Sequence, residues 1–267
     1  MIDFLYEQNA WVMFLSVVSF FVLFSIIGLF LSIKLIPKSV RQSHVEYVSY
    51  GLATISIFSA VLLAFIAVTA WENYGKAEAA TSQEAQLIAD VLRSSFVMPE
   101  PLKSAIGNSG NQYLDIVINE EWPSMANQHM EFKRGWDTLV NLYMEVSKFR
   151  TNDSILQIHY ANLYEKINNL IDARRARILL AHQHFQPIVW SVVLIASIIN
   201  IFYLFLFYMD STKMHVVITL LISIAIGCIF SLIICFDRPF QGGLSIHPDA
   251  FKNVQKNYLT YKDKLNR

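Results

Sequence analysis

The sequence predicts an all-α integral membrane protein, with four transmembrane helices and an extramembrane helical domain between the second and the third. Three observations carry this. Of the 267 residues 54% are hydrophobic, more than a water-soluble domain usually holds. The apolar residues are gathered into four stretches free of Asp, Glu, Lys and Arg, each long enough to cross a bilayer, which takes about 20 residues. No stretch alternates polar and apolar residues as a half-buried strand would.

The first stretch lies between Glu7 and Lys34 and predicts a span over 8–36. It is too long for the apolar core of a cleaved signal, and its leading end is acidic (Asp3, Glu7). The second lies between Glu46 and Glu72 and predicts a span over 47–71. The third follows Arg177, with its apolar part from Pro187, and predicts 187–209; the fourth, between Lys213 and Asp237, predicts 214–236. Trp11, Tyr47, Tyr50, Trp71, Tyr74, Trp190 and Tyr208 sit near the span ends, as an aromatic belt does. Lys34, Lys38, Arg41 and Lys213 on one side nearly balance Lys76, Arg174, Arg175, Arg177 and Arg238 on the other, so charge counting does not orient the chain.

The extramembrane domain is expected over 72–186. Ala77 to Val97 continues the second span as a helix until Pro99 and Pro101 stop it. A second helix runs from Pro101 to about Asn119, Glu120 to Met125 (EEWPSM) forms a turn with an aromatic plug, and a third helix covers His129 to Arg150. A fourth starts at an Asn152 or Asp153 cap. On it Leu156, Tyr160, Leu163, Ile167 and Leu170 recur at helical spacing, and the same steps reach Arg174 and Arg177. Two readings follow. Either both arginines end a buried stripe and need carboxylates around them, with Glu72, Glu78, Glu84 and Asp237 as candidates, or the stripe surfaces and they anchor the interface.

The remaining 237–267 form a polar tail with a short helix. Pro239 ends the fourth span, Gly242 and Gly243 turn the chain, and a helix starts at Ser245 or His247 with Pro248 and Asp249 in its first turn. Asp237, at the span end, is expected to accept from Arg174 or Arg177 and, with Glu72 nearby, to form a structural clamp.

Several classes are excluded. Lys+Arg and Asp+Glu are both 21, so net charge argues for no nucleic-acid partner. No phosphate loop, HExxH, CxxC or nucleophile elbow is present, which predicts no enzyme and no cofactor. His182 and His184 are two apart and point to different helix faces, a poor metal pair. Cys228 and Cys235 are seven apart on one helix, too far to pair, and read as small buried apolar residues. The four apolar stretches carry no Asp, Glu, Lys or Arg, which argues against proton relays and voltage sensors. An apolar constriction gating by wetting remains open. The second span suits it, with small and hydroxyl residues for close helix approach and Phe58, Leu62, Phe65 and Thr69 on one face. That stripe reads either as a pore neck in a ring of subunits or as ordinary helix packing.

Four segments carry a resemblance. AWENYGKAEAATSQEA (Ala70 to Ala85), EEWPSM, ARRARI (Ala173 to Ile178) and DRPFQGGLSIHPDAF (Asp237 to Phe251) resemble the bacterial bestrophin-like membrane proteins. The resemblance implies a relation to bestrophins, pentameric anion channels whose second span lines the pore. It thus implies a multi-pass protein of the bacterial inner membrane with its helical domain in the cytoplasm. The implied partners are the lipid bilayer, four further copies of the chain, and chloride or other small anions. The tail carries only Asp237, Asp249 and Asp263, so the calcium clasp of animal bestrophins has no counterpart. A second reading is a non-conducting membrane sensor or scaffold whose helical domain binds a protein partner.

Overall fold

The computed structural model describes residues 3–127 and 131–265, and all regular elements there are helical. The helices are α1 (Ala10–Leu35), α2 (Lys38–Ser43), α3 (Val45–Ser94), α4 (Leu102–Ile116), α5 (Lys133–Ser147), α6 (Ser154–His182), α7 (Pro187–Leu206), α8 (Thr212–Asp237) and α9 (Asp249–Leu265). Short helical turns occupy Asp3–Tyr6, Ser95–Val97 and, after α4, Val117–Glu121 and Trp122–Ala126. Four helices are long and apolar enough to cross a membrane: α1, α3, α7 and α8.

The chain divides into two compact units. The first comprises residues 1–74, 184–238 and 242–244. Here α1 packs chiefly along α8 and also against α7. Phe21, Leu29, Val193, Ile201 and Ile233 form its core, and the Phe21 and Phe230 rings meet at 4.8 Å. At Gly227 a Cβ would stand 2.9 Å from the Val18 Cα, so α8 and α1 touch backbone to backbone there. Small residues permit such approach where lipid supplies no hydrophobic drive. Interhelical hydrogen bonds add to it: Ser56 Oγ donates to Asn200 Oδ1 at 3.0 Å, and Ser32 Oγ to the Phe205 carbonyl at 2.6 Å. Pro187 opens α7, where its missing N–H costs nothing. Cys228 and Cys235 are free and half-buried rather than fully buried.

The second unit comprises residues 75–183, 239–241 and 245–267. Its core is Ile88, Ile106, Leu114, Leu139, Leu163 and Ile167, each fully buried. α4 packs against α5 and α9, and α5 against α6. Asp153 caps α6, accepting from the Ile155 and Leu156 amides at 2.8 and 3.3 Å. The start of the expected third helix at His129 lies outside the described residues; the helix seen is α5. EEWPSM is not a turn. α4 runs on through a π turn, Val117–Glu121, into Trp122–Ala126. Pro123 is tolerated because it falls in the first turn of that last segment. The chain after α8 turns at Gly242, whose φ of +83° is open to glycine without strain. The Ile246 amide bonds back to the Pro239 carbonyl at 2.8 Å, and α9 begins directly after Pro248.

Candidate functional site

Two arrangements stand out, one in each unit. In the first unit the membrane part of α3 has two unlike faces. Ser59 and Leu63 are buried, and Tyr203 fills the space beside Gly51. On the other face Phe58 and Phe65 are each 70% exposed, Thr69 is exposed and Leu62 half-buried. The Thr69 hydroxyl turns back on its own helix, donating to the Phe65 carbonyl at 2.8 Å. The apolar stretch of α3 is 11% buried by the rest of the chain, against 44% for α8. The stripe is therefore uncharged, largely apolar and turned away from the helices of its own chain.

In the second unit four charged side chains meet where water does not reach. Arg174 and Arg177 are 0% exposed, Glu84 0% and Glu121 1%. The stripe on α6 puts the arginines there, since Leu163, Ile167 and Leu170 precede them on one face. Glu84 comes from the second half of α3, and Glu121 is the last residue of the π turn. Arg174 grips Glu121 with two parallel bonds, Nη1 to Oε2 at 2.8 Å and Nη2 to Oε1 at 2.6 Å. Arg177 grips Glu84 likewise, Nε to Oε2 at 2.7 Å and Nη2 to Oε1 at 3.0 Å. It also donates Nη2 to Glu121 Oε2 at 2.8 Å, which links the two pairs. The Tyr113 hydroxyl donates to Glu84, and Arg174 Nη2 reaches the Phe132 carbonyl at 2.9 Å. Trp122 and Phe251 lie against the Arg177 guanidinium at 5.4 and 5.9 Å. A Cβ at Gly135 would fall 2.1 Å from Glu121 Oε1. Only glycine admits the carboxylate so close.

Two positive and two negative groups leave the cluster neutral, which is what permits its burial. Burial pushes the Arg177 guanidinium down, but Glu84 more than reverses this and holds it charged; Arg174 is held likewise by Tyr113 and Glu121. Burial, then the Glu84 charge, keeps the Tyr113 phenol protonated well above its ordinary range.

The structure distributes the expected clamp differently. Arg174 and Arg177 take Glu121 and Glu84 as partners. Asp237 accepts instead from the Phe185 amide at 2.7 Å and the Tyr6 hydroxyl at 3.1 Å, so it ties the end of α8 to the lead-in of α7 and to the chain start. Glu72 is exposed on α3. The reason is local: α6 turns both guanidinium groups into the core of the helical unit, where only a carboxylate within that core can neutralise them. Glu121 and Tyr113 were not singled out from the sequence. A signal for Glu121 was present, since it belongs to one of the four quoted segments. Each segment contributes here: Glu84 from the first, Glu121, Trp122 and Met125 from EEWPSM, the arginines from ARRARI, and Phe240, Gln241 and Phe251 from the last. Trp122 packs between Phe240 and Phe251 and donates Nε1 to the Ile246 carbonyl at 2.9 Å, while Gln241 donates to the Met125 carbonyl at 3.1 Å.

No curated protein matches the sequence. Solved structures of similar fold include a bacterial bestrophin homologue from Klebsiella pneumoniae carrying a leucine-to-threonine substitution. It is 12% identical, with a TM-score of 0.68, and the alignment covers 91% of this chain and 98% of that one. Another structure of a bestrophin homologue from the same organism gives a TM-score of 0.66 at 13% identity, covering 90% and 97%. At these identities the likeness speaks for the fold. The model of the Bestrophin-like domain matches residues 19–251, a range that takes in most of the first span, the other three spans and the buried charge cluster. A match over that much of the sequence, on that fold, places this multi-pass membrane protein in the bestrophin-like family.

Proposed function

We propose that the chain is one subunit of a homo-oligomeric ion channel, permeable to chloride and other small anions, with its pore lined by α3. The observation that carries this is the uncharged stripe of Phe58, Leu62, Phe65 and Thr69, turned away from the chain's own helices. Around a symmetry axis it forms an apolar neck, which gates by wetting and needs no buried charge. A pentamer in the bacterial inner membrane, with the helical unit in the cytoplasm, is the assembly that the resemblance implies.

The test is halide flux from liposomes holding the purified chain, together with its oligomeric mass in detergent. Chloride or iodide efflux from a pentamer is expected. Phe65→Ala widens and wets the neck, and each ~1 kcal/mol removed from the barrier raises flux roughly fivefold. A monomer or dimer without flux overturns the proposal. It would favour the second reading, a sensor or scaffold, for which the exposed Ile155 and Ile158 near the start of α6 offer apolar contacts.

A further inference from the structure

Arg41 is the one buried residue of the six-residue helix α2, at 9% exposure. Its side chain makes no hydrogen bond and no ion pair among the described residues, and its Nε is sealed from solvent with no acceptor. This contrasts with Arg174 and Arg177, each of which grips a carboxylate. The Arg41 guanidinium thus meets no counter-charge among the described residues and is open to an anionic partner.

His215, at the start of α8, is 2% exposed and bonds through Nε2 to the Leu204 carbonyl at 2.9 Å. One turn further along the same face of α8, Thr219 is fully buried and its Oγ1 has no partner. Arg41 Nε and Thr219 Oγ1 are thus both buried without a partner among the described residues. Lys34, Lys38 and Lys213, at the ends of these spans and on the segments that connect them, are exposed. The acids on these connecting segments are Glu46 and Asp210, and Asp210 accepts from the Tyr208 hydroxyl at 2.9 Å rather than from the guanidinium. Cations therefore outnumber carboxylates here.

We propose that Arg41 holds a phosphate oxyanion, borne by a lipid headgroup or free in solution, at the end of the membrane bundle where α2 joins α1 to α3. A planar guanidinium fork matches two oxygens of a phosphate, and it is less suited to a single spherical halide. α2 links two membrane spans, so it lies at the level of the bilayer phosphates, where basic pockets between transmembrane helices take lipid headgroups. The inference stands apart from the channel reading and does not need an open pore.

The test uses the full chain, purified and washed in an uncharged detergent, with its thermal unfolding midpoint as readout. The probes are phosphatidylglycerol, diacylglycerol as its phosphate-free counterpart, and sodium phosphate against sodium chloride at equal ionic strength. A midpoint that rises with phosphatidylglycerol and not with diacylglycerol supports a headgroup; one that rises with sodium phosphate supports a free anion. In Arg41→Gln the rise is lost, and in Arg41→Lys, which keeps the charge without the fork, affinity falls roughly tenfold. Absence of any rise in the wild type overturns the proposal, as does a rise undiminished in Arg41→Gln. Should Arg41→Gln fail to fold, Arg41→Lys and native mass spectrometry of the wild type carry the test, and an unchanged affinity with no phosphate-bearing adduct overturns it. If Arg41→Gln dissociates the oligomer and Glu46→Gln or Asp210→Asn does the same, the acceptor is a carboxylate of a second copy, and the proposal falls.

Discussion

At the scale of single residues, the four-charge cluster is the most sensitive part of the second unit. Each carboxylate there answers to a guanidinium with both oxygens, so removing one charge leaves an opposite charge buried and unanswered. Glu121→Gln strips Arg174 of its counter-ion and leaves the cluster with a net positive charge. The expected loss is about 3–5 kcal/mol, read by thermal or denaturant unfolding in detergent. Replacing Arg174 and Glu121 together by Met and Leu should cost far less, because no lone charge remains; equal losses would mean that packing and not charge carries the effect. Tyr113→Phe removes one donor to Glu84 and is expected to cost about 1–2 kcal/mol at neutral pH. Tyr113 also sets a pH dependence. Its folded-state pKa is raised, so at high pH the unfolded chain releases a proton that the folded chain keeps. Its contribution is intact below about pH 10 and is lost as pH rises above it. An alkaline stability slope unchanged by Tyr113→Phe would contradict this.

At the scale of elements, α3 and the α1–α8 pair behave differently. α3 is one helix from Val45 to Ser94 that presents an apolar face with no cover from its own chain. Polar substitutions at Phe58 or Phe65 should therefore leave the thermal stability of the dissociated chain within about 0.5 kcal/mol, while changing flux or assembly. A large loss of stability in the dissociated chain would mean that the face is covered by its own subunit. The α1–α8 contact has the opposite character. Gly227→Leu must push α8 off the Val18 backbone, which no side-chain rotation can relieve, at an expected cost of about 1–3 kcal/mol or more. The π turn matters in the same way. It ends on Glu121 and leads into Trp122, both buried against the two arginines.

At the scale of the whole molecule, the chain holds two compact units with cores of their own, so damage to one need not unfold the other. Limited proteolysis of Glu121→Gln should open the second unit, between α4 and α6, while the four spans stay intact in detergent. Simultaneous cleavage in the loop between α7 and α8 would show that the units unfold as one. Much of this organisation was legible beforehand. Each span declares itself by length and lack of charge, and α6 by its cap and its stripe, while the two arginines that continue the stripe read equally as buried or as interfacial. These are properties of a single element, written in spacing that the helix itself imposes. What the sequence by itself determined was therefore the four spans and the apolar stripe of α6. Only the tertiary structure decided that the two arginines are buried, that Arg177 meets Glu84 and Arg174 meets Glu121, that Asp237 serves Tyr6 and Phe185, and that no described residue pairs with Arg41. Those pairings join residues far apart along the chain, and no local periodicity encodes which of several acids will arrive; packing of the helices brings one within reach and carries the others away.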